Sequence, residues 1–144
     1  VMPNEGPETF SPYDVVGHLV HGEKTDWVVR TKMILEFGNT KTFEKYDRFA
    51  QYEESKGKSL HQLLNEFAAI RKDNMIWFKA LNLTEADLDR KGMHPVLGDL
   101  TLRNLLATWV VHDLTHIAQI TRVMAKQYKT EMGPWPEFFR ILNY

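Results

Sequence analysis

The chain has no cysteine, which excludes disulfides, thiolate metal ligands, cysteine-bound clusters and a cysteine nucleophile. Any transition-metal site must therefore use His, Asp or Glu. An excess of positive charge is missing too: 18 Lys and Arg stand against 19 Asp and Glu, a formal charge of -1, with a pI of about 6.6. No basic field exists to capture a phosphate backbone, so nucleic acid is not an expected partner. No apolar run approaches the roughly 20 residues that span a bilayer, and no charged start leads into an apolar signal core. A cytoplasmic protein without a membrane partner is the expectation.

The 144 residues, 43% hydrophobic and 26% charged, suffice for one domain over 1–144 and no second. Ser11-Pro12-Tyr13-Asp14 combines an N-cap, a proline whose missing N–H costs nothing and a first-turn acid, so a helix is predicted from Pro12 to Phe37, stopped by Gly38-Asn39. Thr40 to Lys58 reads as a long ordered loop with a helical turn or two. Ser59 with Gln62 forms a capping box ahead of a helix from Leu60 to Leu81. Thr84 with Asp87 caps a short turn, Gly92 to Gly98 reads as loop, and a helix runs from Thr101 to Tyr128 without internal Gly or Pro. After Gly133-Pro134-Trp135-Pro136 a short helix, Glu137 to Leu142, is expected to cover a bundle end. The pattern is all-α with three long helices.

Two histidines interrupt the apolar stripe of the last long helix, which reads Leu102, Leu105, Trp109, His112, His116 and Val123. Four residues apart, they lie ~40° apart around the axis on successive turns, so both rings can converge on one point. Burying two imidazoles without partners is costly, and a shared metal ion supplies a partner to both. A third ligand would come from the first helix, where spacing leaves His18 and His21 equal. His112-Asp113-Leu114-Thr115-His116 matches the H-E-x-x-H protease helix only superficially, because Asp is one methylene shorter than Glu. Asp113 is better read as bonding a neighbouring element, and Gln119 as lining the pocket or bonding a ligand's outer nitrogen. Trp109, one turn from His112, is expected to wall the pocket. His94 either faces the metal end or braces a turn, and His61 is expected to be exposed.

Ser11-Pro12-Tyr13-Asp14-Val15-Val16-Gly17-His18-Leu19-Val20-His21-Gly22-Glu23, together with Thr101 to Ile120, resembles the DinB/YfiT-like family of proposed metalloenzymes. The likeness extends through Leu60 to Leu81 and the His94-Pro95 loop; nothing resembles the DNA polymerase that shares the name. The resemblance implies metal ligation by His18, His112 and His116, with His18 preferred over His21. It also implies an up-down-down-up four-helix bundle and, often, a homodimer. The helix that usually precedes the first ligand has no counterpart here, so it is expected to be missing or upstream of Val1.

Three neutral imidazoles leave a divalent ion (Zn, Ni or Fe) its full charge and open positions for Lewis-acid work. Relatives of the fold include bacillithiol S-transferases and a mycothiol-dependent isomerase, so the resemblance implies small-thiol transfer or hydrolysis of a small molecule. Glu23, Asp14 and Asp113 are the nominees for a general base, and Glu23, Asp113 and Gln119 the catalytic candidates. Arg48, Arg103 and Arg122 could receive a charged low-molecular-weight thiol. The contrasting expectation is a non-catalytic metal- or ligand-binding bundle; closed structural zinc sites take four protein ligands, whereas three are found here.

Overall fold

Each long helix begins on a reciprocal cap. In the computed structural model, which describes residues 2–143, Ser11 accepts from the Asp14 N–H while Asp14 accepts from the Ser11 N–H. Ser59 with Gln62, and Thr101 with Asn104, repeat the arrangement. These caps start α1 (Pro12–Thr25), α4 (Leu60–Ala80) and α6 (Leu102–Lys126). The expectation about what precedes Val1 falls outside the described residues.

The predicted first helix is two. The backbone turns at Asp26 (φ -114°, ψ -86°), separating α1 from α2 (Trp27–Phe37). Neither Gly nor Pro causes the turn. At the turn the Thr25 hydroxyl donates to the His21 carbonyl at 2.9 Å. The turn carries Trp27 into the core, where it stacks on Trp109 with centroids 6.0 Å apart.

Between α2 and α4 the long loop contains α3 (Ala50–Ser55), and α5 (Glu85–Leu88) is the turn that Thr84 caps. The segment read as loop after it is instead a hairpin, β1 (Lys91–His94) against β2 (Gly98–Thr101), antiparallel with His94 opposite Gly98. Its three-residue connection closes on Gly98 at φ +77°, a geometry that favours glycine. The His94 ring braces that connection, its Nδ1 accepting from the N–H groups of Val96 and Leu97 at 3.0 Å each. The closing segment forms two 3₁₀ turns, Pro136–Phe138 and Arg140–Asn143, in place of the expected α-helix. Each turn holds only three or four residues, a length at which 3₁₀ geometry is common. Leu142 covers the bundle there, while Phe138 stays exposed.

One apolar cluster, Trp27, Val28, Ile34, Phe43, Leu102, Leu105 and Trp109, binds α2, the hairpin side and α6. A second, Val16, Val20 and Leu63, binds α1 to α4. Gly92 shows how tightly the hairpin seats: a Cβ there would lie 2.6 Å from Ile34 Cγ1 and 2.8 Å from Phe43 Cζ. Gly92→Ala is therefore expected to destabilise the protein by about 1–3 kcal/mol, the usual cost of overpacking, measurable as a lower urea midpoint. No described helix is long and apolar enough to cross a membrane.

Candidate metal centre

His18 projects from α1 toward α6, where His112 and His116 stand one turn apart. The structure brings these three rings together: their candidate ligand nitrogens all lie within 4.8 Å of one another. Ring centroids are separated by 5.0 Å for His18 and His112, 4.7 Å for His18 and His116, and 4.5 Å for His112 and His116. The Nε2 atoms of His18 and His112 are 2.9 Å apart. Two such nitrogens repel unless a proton or a cation sits between them. Ligands ~2.1 Å from one ion at a tetrahedral angle would stand ~3.4 Å apart, so only a small outward movement separates this geometry from a coordinating one.

The outer nitrogens bear on the same point. His116 Nδ1 is 2.9 Å from Gln119 Oε1, so its N–H donates outward and the Nε2 lone pair faces in. His18 Nδ1 is 2.9 Å from the Tyr46 hydroxyl. His112 Nδ1 is buried and has no hydrogen-bond partner. Burial, reinforced by the neighbouring imidazoles, pushes both His18 and His112 down to about 4. Both rings are thus neutral at pH 7, the state in which imidazole binds metal. The donor set fits a divalent ion.

Phe10 packs on His18 with centroids 5.5 Å apart, and the N-terminal segment that carries it is tied down by Glu5, which accepts from Arg122 (2.8 and 2.9 Å) and Lys126 (3.0 Å). The hydrogen bond from Arg122 leads in holding the Glu5 carboxyl down to about 2. The wall behind His112 is Trp27 at 5.0 Å; Trp109, expected there, stands behind it in the stack.

Glu23 and Asp113 are both engaged by one arginine. Arg71 on α4 pairs with Glu23 and grips Asp113 through two bonds of 2.9 and 3.0 Å, while Asn74 donates to Glu23 at 2.7 Å. One guanidinium thereby clamps α1 and α6 to α4. Asp14 is occupied by its cap. His21, buried, pairs with Glu54 at 3.0 Å and does not join the cluster. Arg103 pairs with Glu85 and Arg122 with Glu5, while Arg48 lies over the Phe49 ring. Arg48 also lines a cavity of about 560 Å³ with Glu8, Thr9, Phe10, Phe49 and Tyr52. Phe10 belongs both to this cavity and to the surroundings of His18.

Tyr46, Arg71 and Asn74 escaped the sequence reading. Tyr46 sits in a loop with no periodicity to give it a direction. Arg71 and Asn74 did leave a signal, because Phe67, Arg71, Asn74 and Phe78 share one helical stripe, and polar residues in an apolar stripe need buried partners.

The sequence model of the DinB superfamily matches residues 3–120. Among solved structures, YfiT from Bacillus subtilis, described as a probable metal-dependent hydrolase with an unusual four-helix bundle topology, superposes with a TM-score of 0.72. The identity is 24%, over 86% of this chain and 70% of that one. No curated protein matches. The likeness shows a YfiT-type four-helix bundle fold, of which α1–α2, α4 and α6 are the long members described here.

Proposed function

The chain belongs to the DinB superfamily, and on that premise we propose that it is a metal-dependent enzyme acting on a small molecule, with the divalent ion held by Nε2 of His18, His112 and His116. The observation that carries this reading is the convergence of three imidazoles whose candidate ligand nitrogens lie within 4.8 Å of one another. A bound divalent ion supplies Lewis acidity there, acidifying a water or a thiol and polarising a carbonyl.

The chain's own residues do the rest. Gln119 orients His116, and Arg71 fixes α1 and α6 so that His18 meets the other two rings. Glu23, Asp113 and Asp14, each already engaged, are poorly placed to serve as a general base. This favours chemistry in which a bound ion would lower the pKa of the nucleophile far enough for its proton to pass to solvent water. Hydrolysis of a small ester or amide meets that condition, and YfiT is described as a probable metal-dependent hydrolase. Transfer of a low-molecular-weight thiol is the second reading, since a metal-held thiol needs no base; the cavity beside Phe10, with Arg48 in its wall, offers room and a positive charge for such a molecule. A small thiol as co-substrate would place the reaction in the cytoplasm. A homodimer belongs to the same reading, supported by the α6 flank of Val110, Leu114, Ile117 and Met124, each more than half exposed.

The test is turnover by protein loaded with zinc, nickel or iron, in a panel of ester and amide hydrolysis and a panel conjugating small thiols to an electrophile. Metal-dependent turnover in one panel, abolished by His18→Ala, is expected. No turnover in either panel, with His18→Ala indistinguishable from wild type in ligand binding, would favour a non-catalytic binding bundle.

A further inference from the structure

Imidazole has two nitrogens and, when neutral, one proton, so a ligand histidine is competent only if the proton resides on the nitrogen turned away from the ion. We propose that Tyr46 is the positioning residue that keeps the His18 proton on Nδ1 and thereby presents the Nε2 lone pair to the centre. This rests on the metal reading above and adds a residue to it.

The phenol oxygen lies 2.9 Å from His18 Nδ1, and the two rings meet edge-on with centroids 5.6 Å apart. Its hydroxyl could in principle donate to Nδ1 or accept from it. The other nitrogen of the ring chooses. Nε2 faces His112 and the cluster, so when its lone pair goes to an ion the one proton of the neutral ring is left on Nδ1, and the phenol oxygen 2.9 Å away has the lone pairs to accept it. Accepting that bond also makes Nε2 a better donor to a metal.

The loop that carries Tyr46 is held at both ends. Upstream, the Phe43 N–H donates to the Met93 carbonyl at 2.9 Å and the Phe43 ring is buried. Downstream, Asp47 accepts from the N–H groups of Phe49 (3.0 Å) and Ala50 (3.1 Å), which starts α3. Sideways, the Tyr46 ring meets His21 edge-on at 5.3 Å, and His21 is fixed by Glu54. Tyr46 and Gln119 are thus matched devices on two of the three rings.

The test is Tyr46→Phe in the full chain, which removes one hydroxyl and keeps the ring. Competition with a chromophoric chelator is expected to show zinc and nickel held about 10–100-fold more weakly, the usual range for losing an outer partner. Imidazole ¹⁵N spectra of the metal-free wild type are expected to show His18 protonated on Nδ1, with a smaller Nδ1–H fraction in the variant. Tyr128→Phe, which removes an exposed phenol past the end of α6, should change neither. Equal affinities in wild type and Tyr46→Phe, or a wild-type His18 protonated on Nε2, would overturn the assignment. Should the wild type bind no metal, the functional reading fails, and the tautomer spectra still decide the role of Tyr46.

Discussion

Replacing His116 by alanine is expected to abolish stoichiometric metal binding, with affinity falling by more than the roughly 100-fold that loss of an outer-nitrogen partner costs. The reason is donor count. Three imidazoles are the whole protein ligand set found among the described residues, and two leave a divalent ion little better held than by any surface pair on a helix. Neither neighbouring carboxylate is free to replace the lost ring, since Arg71 engages both Glu23 and Asp113. The effect should be confined to the metal-bound state. A ligand that binds only the folded chain stabilises it by RT ln(1 + [L]/Kd), about 4 kcal/mol at a thousandfold excess over Kd. Added zinc or nickel should therefore raise the melting temperature of the wild type and leave that of His116→Ala unmoved. An unchanged metal content in the variant would show that the ion, if any, sits elsewhere.

The second large effect is acid loss of stability in the metal-free protein. Burial holds His18 and His112 at about 4 in the folded chain, against about 6.5 when unfolded. As pH falls through the unfolded value, the unfolded chain takes up protons that the folded chain refuses, so stability is complete above about 6.5 and declines toward 4. At pH 5 the loss is about 2 kcal/mol per histidine, roughly 4 kcal/mol for the pair. Glu5 acts in a separate window: its depressed carboxyl contributes stability that is lost only below the ordinary glutamate range, as pH falls toward 2. Urea unfolding of metal-stripped protein at pH 7.5 and pH 5 measures the effect directly. Equal stability at the two values would mean that these rings are not buried in the neutral form.

Much of the scaffold could be read in advance because its signals are local. Caps at Ser11, Ser59 and Thr101 need only residues three apart. The His112 and His116 pair needs only the helical period. Signals spread over space were harder. The turn at Asp26 has no Gly or Pro to announce it, and the hairpin seats a glycine against Ile34 and Phe43, contacts that no periodicity announces. The choice of His18 over His21 needed the family resemblance. The structure shows why spacing alone could not make it: both rings are largely withdrawn from solvent on the same helix, and they differ in what the other elements bring, α6 to one and Glu54 to the other. Arg71 marks the boundary between the two kinds of signal, because its place in an apolar stripe was visible while its two carboxylate partners were not.

Anomalous diffraction at the zinc edge from crystals of the zinc-loaded protein tests the central claim most directly. One peak per chain, bonded at ~2.1 Å to Nε2 of His18, His112 and His116, is the predicted result. A peak on His21 and Glu54, or none at the three rings, would contradict it.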